Sequence, residues 1–209
     1  MKVCVLGASG TVGREVVLDA ARRSHEVHGQ TRNAERLQSL PCRGVHAFEP
    51  DDSSALNAFL EGADLVVFAL GIDHRRVTTF FSDTTRKVLD AMVLRGVPKL
   101  IAITGVGAGS TRGHGGFLYD RLIYPLFTRN RYLDKERQEQ LIADSELDWI
   151  VVRPGPFSSR PRSGALQTLL DPEPGVILRH ITPAEVARFV VDQFESGRYH
   201  GQTVFIGRP

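Results

Sequence analysis

Three glycines supply the clearest chemical signal in the chain. In Gly7-Ala8-Ser9-Gly10-Thr11-Val12-Gly13 they stand three positions apart, directly after the apolar run Val3–Leu6 and ahead of a helical pattern. A strand–turn–helix junction of this kind cradles a phosphate. The first glycine permits the tight turn, the second lets the backbone approach a pyrophosphate, and the third lets the helix pack closely on the sheet, while N–H groups at the helix start face the anion. Ser9, Thr11 and Val12 join the glycines as candidate contacts. A P-loop is excluded, because Arg14 stands where a Lys followed by Ser or Thr is needed.

Further along, the second apolar run ends in His28-Gly29-Gln30-Thr31-Arg32-Asn33. An acidic residue here would hold a ribose 2′-OH and select NAD, but none is present, and Arg32 stands 19 positions after Gly13. A guanidinium can clamp a 2′-phosphate through two parallel hydrogen bonds, so NADP(H) is favoured over NAD(H), the alternative being a solvated surface arginine. Asp51 and Asp52 either touch the adenine edge or cap a helix. Ala69, Leu70 and Gly71 are expected to pass beneath the cofactor.

These residues need a scaffold, and the hydrophobic pattern supplies one. Apolar runs at Val3–Leu6, Glu26–Gly29, Val45–Phe48, Leu65–Leu70, Leu100–Ile103, Trp149–Val152 and Thr203–Ile206 alternate with helical windows. The windows are Thr11–Arg22, Ala34–Leu40, Ser53–Leu60, Val77–Arg95, Phe117–Ala143 and Pro183–Glu195. Runs such as LVVFAL are apolar on both faces, as in a parallel sheet covered on both sides. The expectation is an α/β fold: a Rossmann-type doubly wound parallel sheet of order 3-2-1-4-5-6 with a seventh strand at the edge, in a single domain spanning 1–209. Thr182-Pro183-Ala184-Glu185 marks a helix start by cap, proline and acid. Two segments break the alternation, about 105–130 and 153–181; the first holds six glycines between Gly105 and Gly116, the second five prolines between Arg153 and Pro174. Both follow strands, where open α/β sheets bind ligands.

The residues GASGTVG, TRN, ADLVVFALG, LIAITGVGAG, DKERQEQLIADSELDWIVVRPGPF and ITPAEVARFV together resemble the atypical short-chain dehydrogenase/reductase superfamily. Within it the chain is most similar to the NAD(P)H-binding NmrA-like proteins and the biliverdin-IXβ/flavin reductases, over nearly its whole length. That resemblance implies a hydroxyl after the fifth strand, matched by Thr104, and a Tyr-x-x-x-Lys on the next helix, of which Lys135 matches the lysine at the nicotinamide ribose. The tyrosine position is Arg131 instead. Tyr132 lies only three residues before Lys135, and Tyr119, Tyr124 and His114 are the other conceivable acids. Packing aromatics and a loop-tip histidine are their ordinary roles, as an exposed i,i+4 pair with Glu139 is for Lys135. The resemblance also places Pro154, Gly155 and Phe157 at the nicotinamide carboxamide. Arg153, Arg160 and Arg162 would crowd the mouth with positive charge, which either attracts an anionic substrate or reflects the arginine-rich composition.

The whole chain of 209 residues carries a net charge of only +2, although 22 of its 26 basic residues are arginine. That balance gives no reason to expect nucleic acid. Cys4 and Cys42 form no CxxC, no histidines have metal-ligand spacing (His25 and His28 face opposite sides of a strand), and no GxSxG elbow exists. No apolar window is long enough for a membrane span, and a reduced cytoplasmic setting fits best. The expected activity is NAD(P)H-dependent hydride transfer to a small conjugated or carbonyl acceptor of the flavin, quinone or tetrapyrrole kind, with the proton coming from solvent or Thr104. A non-catalytic NADPH-sensing protein of the NmrA-like kind is the alternative, and an NAD-dependent epimerase or dehydratase a weaker one. The expected partner is a small-molecule substrate, in a monomer or a homodimer built on the windows 77–95 and 117–143.

Overall fold

Alternate residues of the first strand enter two different cores. In β1 (Lys2–Leu6), Val3 and Val5 are buried with the apolar faces of α1 (Gly13–Arg22) and α5 (Pro183–Asp192), whereas Cys4 and Leu6 are buried with those of α2 (Ser53–Phe59), α3 (Phe80–Arg95) and α4 (Arg129–Ala143). The same split continues through β4 (Leu65–Phe68), β5 (Lys99–Ile103) and β6 (Asp148–Pro154), where Val67, Ile101 and Val152 face one layer and Val66, Leu100 and Val151 the other. Helices therefore cover both faces of the sheet, which is why these strands read as unbroken apolar runs.

This computed structural model describes residues 1–72, 78–105, 129–160, 163–170, 176, 178 and 180–208, with 129–132 as helix backbone alone. Its sheet has the order β3-β2-β1-β4-β5-β6-β8-β7, with β2 (Glu26–Thr31), β3 (Gly44–Ala47), β7 (Gln167–Leu169) and β8 (Gln202–Gly207) completing the set. All pairs are parallel except β7 with β8. The first six strands follow the expected order. The last apolar run, β8, is not at the edge, however: it pairs with β6, and β7 lies outside it. Three residues from a segment expected to be irregular have no period of their own, so only docking on β8 makes them a strand. Such a short edge offers little to a foreign strand.

Local chemistry fixes the helix ends. Thr182 accepts a hydrogen bond from the Glu185 amide through its hydroxyl, the Glu185 carboxylate accepts from the Thr182 amide, and Pro183 follows the cap. The window 34–40 yields only a 3₁₀ turn, Ala34–Leu37, because Leu37 alone among those four is buried. Helix α1 starts at Gly13 rather than Thr11, since Gly10–Val12 belong to the turn after β1. With β2 on one side of β1 and β4 on the other, the connections diverge there and open a crevice at the carboxyl ends of the strands. Among the described residues, no helix is long and apolar enough to cross a membrane.

Candidate functional site

The glycine turn sits in that crevice with no room for side chains. Gly7 has φ +77°, and a Cβ there would lie 2.8 Å from the Ala69 carbonyl oxygen; one on Gly13 would lie 2.2 Å from the Gly7 oxygen. The turn thus folds onto itself and onto the chain leaving β4. Its N-cap, Val12, offers no side-chain acceptor to the first turn of α1. The N–H groups of such a helix start attract an anion. A backbone cradle of this shape fits the pyrophosphate of a dinucleotide, and Ser9, Gly10, Thr11, Val12 and Gly13 are the residues that would line it.

A residue passed over in the sequence holds this turn. Gln30 is 1% exposed, and its Oε1 accepts from the Gly7 amide at 3.0 Å while its Nε2 donates to the Phe48 carbonyl at 2.7 Å. Its own carbonyl accepts from the Ala8 amide at 3.0 Å, so one buried amide joins the carboxyl ends of β1, β2 and β3. Its sequence signal is an uncharged polar residue near the end of β2, where NAD-binding relatives of the fold carry an acid. Next to it the hydroxyls of Ser9 and Thr31 meet at 3.0 Å. Arg32 follows, exposed and without a side-chain partner among the described residues. Asp52 takes the capping alternative: its Oδ1 accepts from the amides of Ser54 and Ala55 at the start of α2. Asp51 faces Lys87, which donates to its carbonyl at 2.7 Å.

At the carboxyl ends of β5 and β6, α4 brings four polar side chains inward. The Lys135 amine donates to the Thr104 carbonyl at 2.8 Å and lies 4.7 Å from the centre of the Phe81 ring. Glu139, one turn on, is buried, accepts from the Thr104 hydroxyl at 2.6 Å, and pairs with Arg153 through the Nε and Nη2 of the guanidinium. One alternative and one expectation give way here. Lys135 and Glu139 do not form an exposed pair, because both point toward the sheet and have separate partners. Arg153 is not a free cation at the mouth, being 7% exposed and ion-paired with Glu139. The helix is held in this register by Asp134, fully buried, which accepts from the Phe81 amide and the Ser82 hydroxyl at the start of α3, and by Gln138, which donates to Thr85.

Beyond β6, Pro154 and Gly155 are buried, and the Gly155 amide donates to Ile206 of β8 at 2.8 Å. Phe157 is half exposed, bridged to Ile181, and Arg160 is exposed nearby. Arg208 fastens this segment: it donates to the carbonyls of Gly164 and His180 and pairs with Glu185. The bond from Arg208, followed by those from the Thr182 amide and hydroxyl, holds the Glu185 carboxyl down to about 2. His114, Tyr119, Tyr124 and Arg162 lie outside the described residues, as do the side chains of Arg131 and Tyr132.

Among the described residues, the cysteines and several histidines lie in other surroundings. Burial pushes the Cys4 thiol up to about 12, and Cys42 is likewise raised. His25 packs on Phe194, while His28 bonds His46 and Glu26. No group of side chains able to hold a metal occurs among the described residues.

Residues 7–196 match the family described as NAD(P)H-binding, from the glycine cradle to the end of the α5 region. The chain belongs to that NAD(P)H-binding family. The Bacillus subtilis protein YhfK, named an uncharacterized sugar epimerase, is 24% identical to this NAD(P)H-binding chain over 199 residues, covering 91% of it and 86% of YhfK. Among solved structures, the oxidoreductase ylbE of Lactococcus lactis superposes with a TM-score of 0.83 at 14% identity, over all of this chain and 91% of its own. ChuY, an anaerobilin reductase of Escherichia coli O157:H7, superposes at 0.80 with 20% identity, over all of this chain and 98% of its own. At these identities the superpositions establish the Rossmann-like fold, and the family match a nicotinamide cofactor.

Proposed function

We propose that this chain is an NADPH-dependent oxidoreductase that reduces a small conjugated or carbonyl acceptor of the flavin, quinone or tetrapyrrole kind. The observation that carries the reading is the Lys135 amine, held at the Thr104 carbonyl on the same sheet edge as the glycine cradle. The nicotinamide supplies the hydride when bound. Gly7 to Gly13 would hold its pyrophosphate, Arg32 its 2′-phosphate, Lys135 its ribose, and Pro154, Gly155 and Phe157 its carboxamide edge. Ala69, Leu70 and Gly71 floor the site. Thr104 is aligned by Glu139, and Arg160, exposed beyond β6, would draw an anionic acceptor inward. Two structural relatives named an oxidoreductase and an anaerobilin reductase support a redox role.

The test is NADPH oxidation followed with flavins, quinones and linear tetrapyrroles. Lys135→Met should slow turnover roughly 10- to 100-fold, the loss of a charged hydrogen bond, measured with the variant fully folded. Absence of oxidation across all three classes would remove the reading. A second reading, an NADPH sensor without turnover, draws support from the Thr104 hydroxyl, whose proton is directed inward to Glu139. NADPH binding without oxidation, together with a protein partner whose affinity follows NADPH, would establish it instead.

A further inference from the structure

We infer that Glu139 and Arg153 fix the hydrogen-bond polarity of Thr104, making its hydroxyl an acceptor toward the ligand, so that the site selects molecules presenting an N–H at that point. The inference rests on the reductase reading and specifies its acceptor.

A threonine hydroxyl has one proton and two acceptor lone pairs. In Thr104 that proton goes to the Glu139 carboxylate at 2.6 Å, a short, charge-assisted bond of the stronger class. Arg153 engages both oxygens of the same carboxylate, one through Nε and the other through Nη2. An ionised carboxylate only accepts, so it cannot return a hydrogen bond that would turn the hydroxyl round. Rotating Thr104 outward would leave a buried carboxylate oxygen with one donor fewer, and Glu139 is only 8% exposed. What remains for a ligand at Thr104 is lone-pair density at the carboxyl end of β5.

The consequence divides the candidate acceptors. Quinones and simple ketones bring carbonyl oxygens, which meet Thr104 lone pair to lone pair. Flavins carry a ring N3–H and linear tetrapyrroles carry lactam and pyrrole N–H groups, each able to donate. Thr104 is then a specificity residue and Glu139 a positioning residue acting through it. The proton that completes reduction comes from solvent.

The experiment compares binding of lumiflavin and 3-methyllumiflavin, which differ by the N3 proton, to the full chain saturated with NADP⁺. The wild type should bind lumiflavin about tenfold more tightly, the value of one hydrogen bond, and Thr104→Ser should keep that ratio. Thr104→Val should bring it below about twofold, as expected when the bond is lost. Glu139→Gln, whose amide can donate to Thr104 as well as accept, should also narrow it. A general loss of stability lowers both affinities together and leaves the ratio alone, so the ratio separates positioning from mere structure. Equal affinities in the wild type, or a ratio that survives in Thr104→Val, would overturn the inference while flavin binding leaves the reductase reading intact. Failure of the wild type to bind either flavin would overturn the inference for a flavin acceptor, while the reductase reading then stands or falls on NADPH oxidation with quinones and linear tetrapyrroles.

Discussion

The Nζ of Lys135 lies 2.8 Å from the main-chain carbonyl of Thr104, the residue whose hydroxyl donates to Glu139 one helical turn further on. A single residue after β5 is therefore gripped by α4 through its backbone and its side chain. The pair also explains why a helix with so many charges packs inward: its buried charges meet carbonyls, hydroxyls, an amide and a guanidinium.

The glycine cradle should be intolerant of a single methyl. Gly7→Ala places an L-residue at φ +77° with its Cβ 2.8 Å from the Ala69 oxygen, and should cost at least about 1–2 kcal/mol in a urea melt from the backbone conformation alone. Gly13→Ala brings a Cβ to 2.2 Å from the Gly7 oxygen, so the turn itself must move. NADPH affinity should fall by more than about tenfold in Gly13→Ala, as measured by cofactor fluorescence, because the amides leave their positions around the phosphates.

Cofactor choice should follow Arg32. Its exposed guanidinium has no side-chain partner among the described residues, so Arg32→Ala changes little in the fold. NADPH affinity should drop roughly 10- to 100-fold, the range for a charged hydrogen bond, while NADH affinity stays the same. Equal losses for the two dinucleotides would assign Arg32 to general attraction.

The Glu139–Arg153 pair should behave as a buried ion pair. Arg153→Met leaves a buried carboxylate without its cation and should cost about 3–5 kcal/mol in chemical denaturation. Adding Glu139→Leu should recover a large part of that loss, since the double variant strands no charge. A double variant as unstable as the sum of the two singles would contradict the pairing.

Acid should loosen the Arg208 strap in a defined window. Arg208, followed by the bonds to Thr182, lowers the Glu185 carboxyl from its ordinary 4.5 to about 2. A depressed carboxyl adds stability that is complete above the unfolded value and is lost as pH falls from about 4.5 through about 2. Urea midpoints measured down that range should decline less steeply in Arg208→Met than in the wild type. Amide exchange around Gly164 and His180, whose carbonyls Arg208 also holds, should quicken in the variant at every pH.

What could be read in advance was what lies close together in sequence. The glycine spacing, the Thr182–Glu185 box and the doubly apolar strands are each set by neighbouring residues, and the strand order follows from their alternation with helices. Gln30 was invisible because its amide serves Gly7 and Phe48, 23 and 18 positions away. The Glu139–Arg153 pair joins a helix to a strand 14 residues later, so each residue alone resembled ordinary surface charge. Strand β7 gave no signal because pairing with β8, not composition, makes it extended.

The placement of β8 between β6 and β7 bears on how the chain is made. Synthesis delivers β6 and β7 before the strand that joins them, so on the ribosome the outer side of β6 stays an unpaired edge and β7 has nothing to dock on. Arg208, which straps Gly164 before β7 and His180 after it, arrives later still. A growing chain with the first six strands assembled would expose that edge, a template for wrong pairing, until Gln202–Gly207 closed it. Translation speed over the α5 region, or a chaperone bound there, would then govern how much of the protein folds correctly.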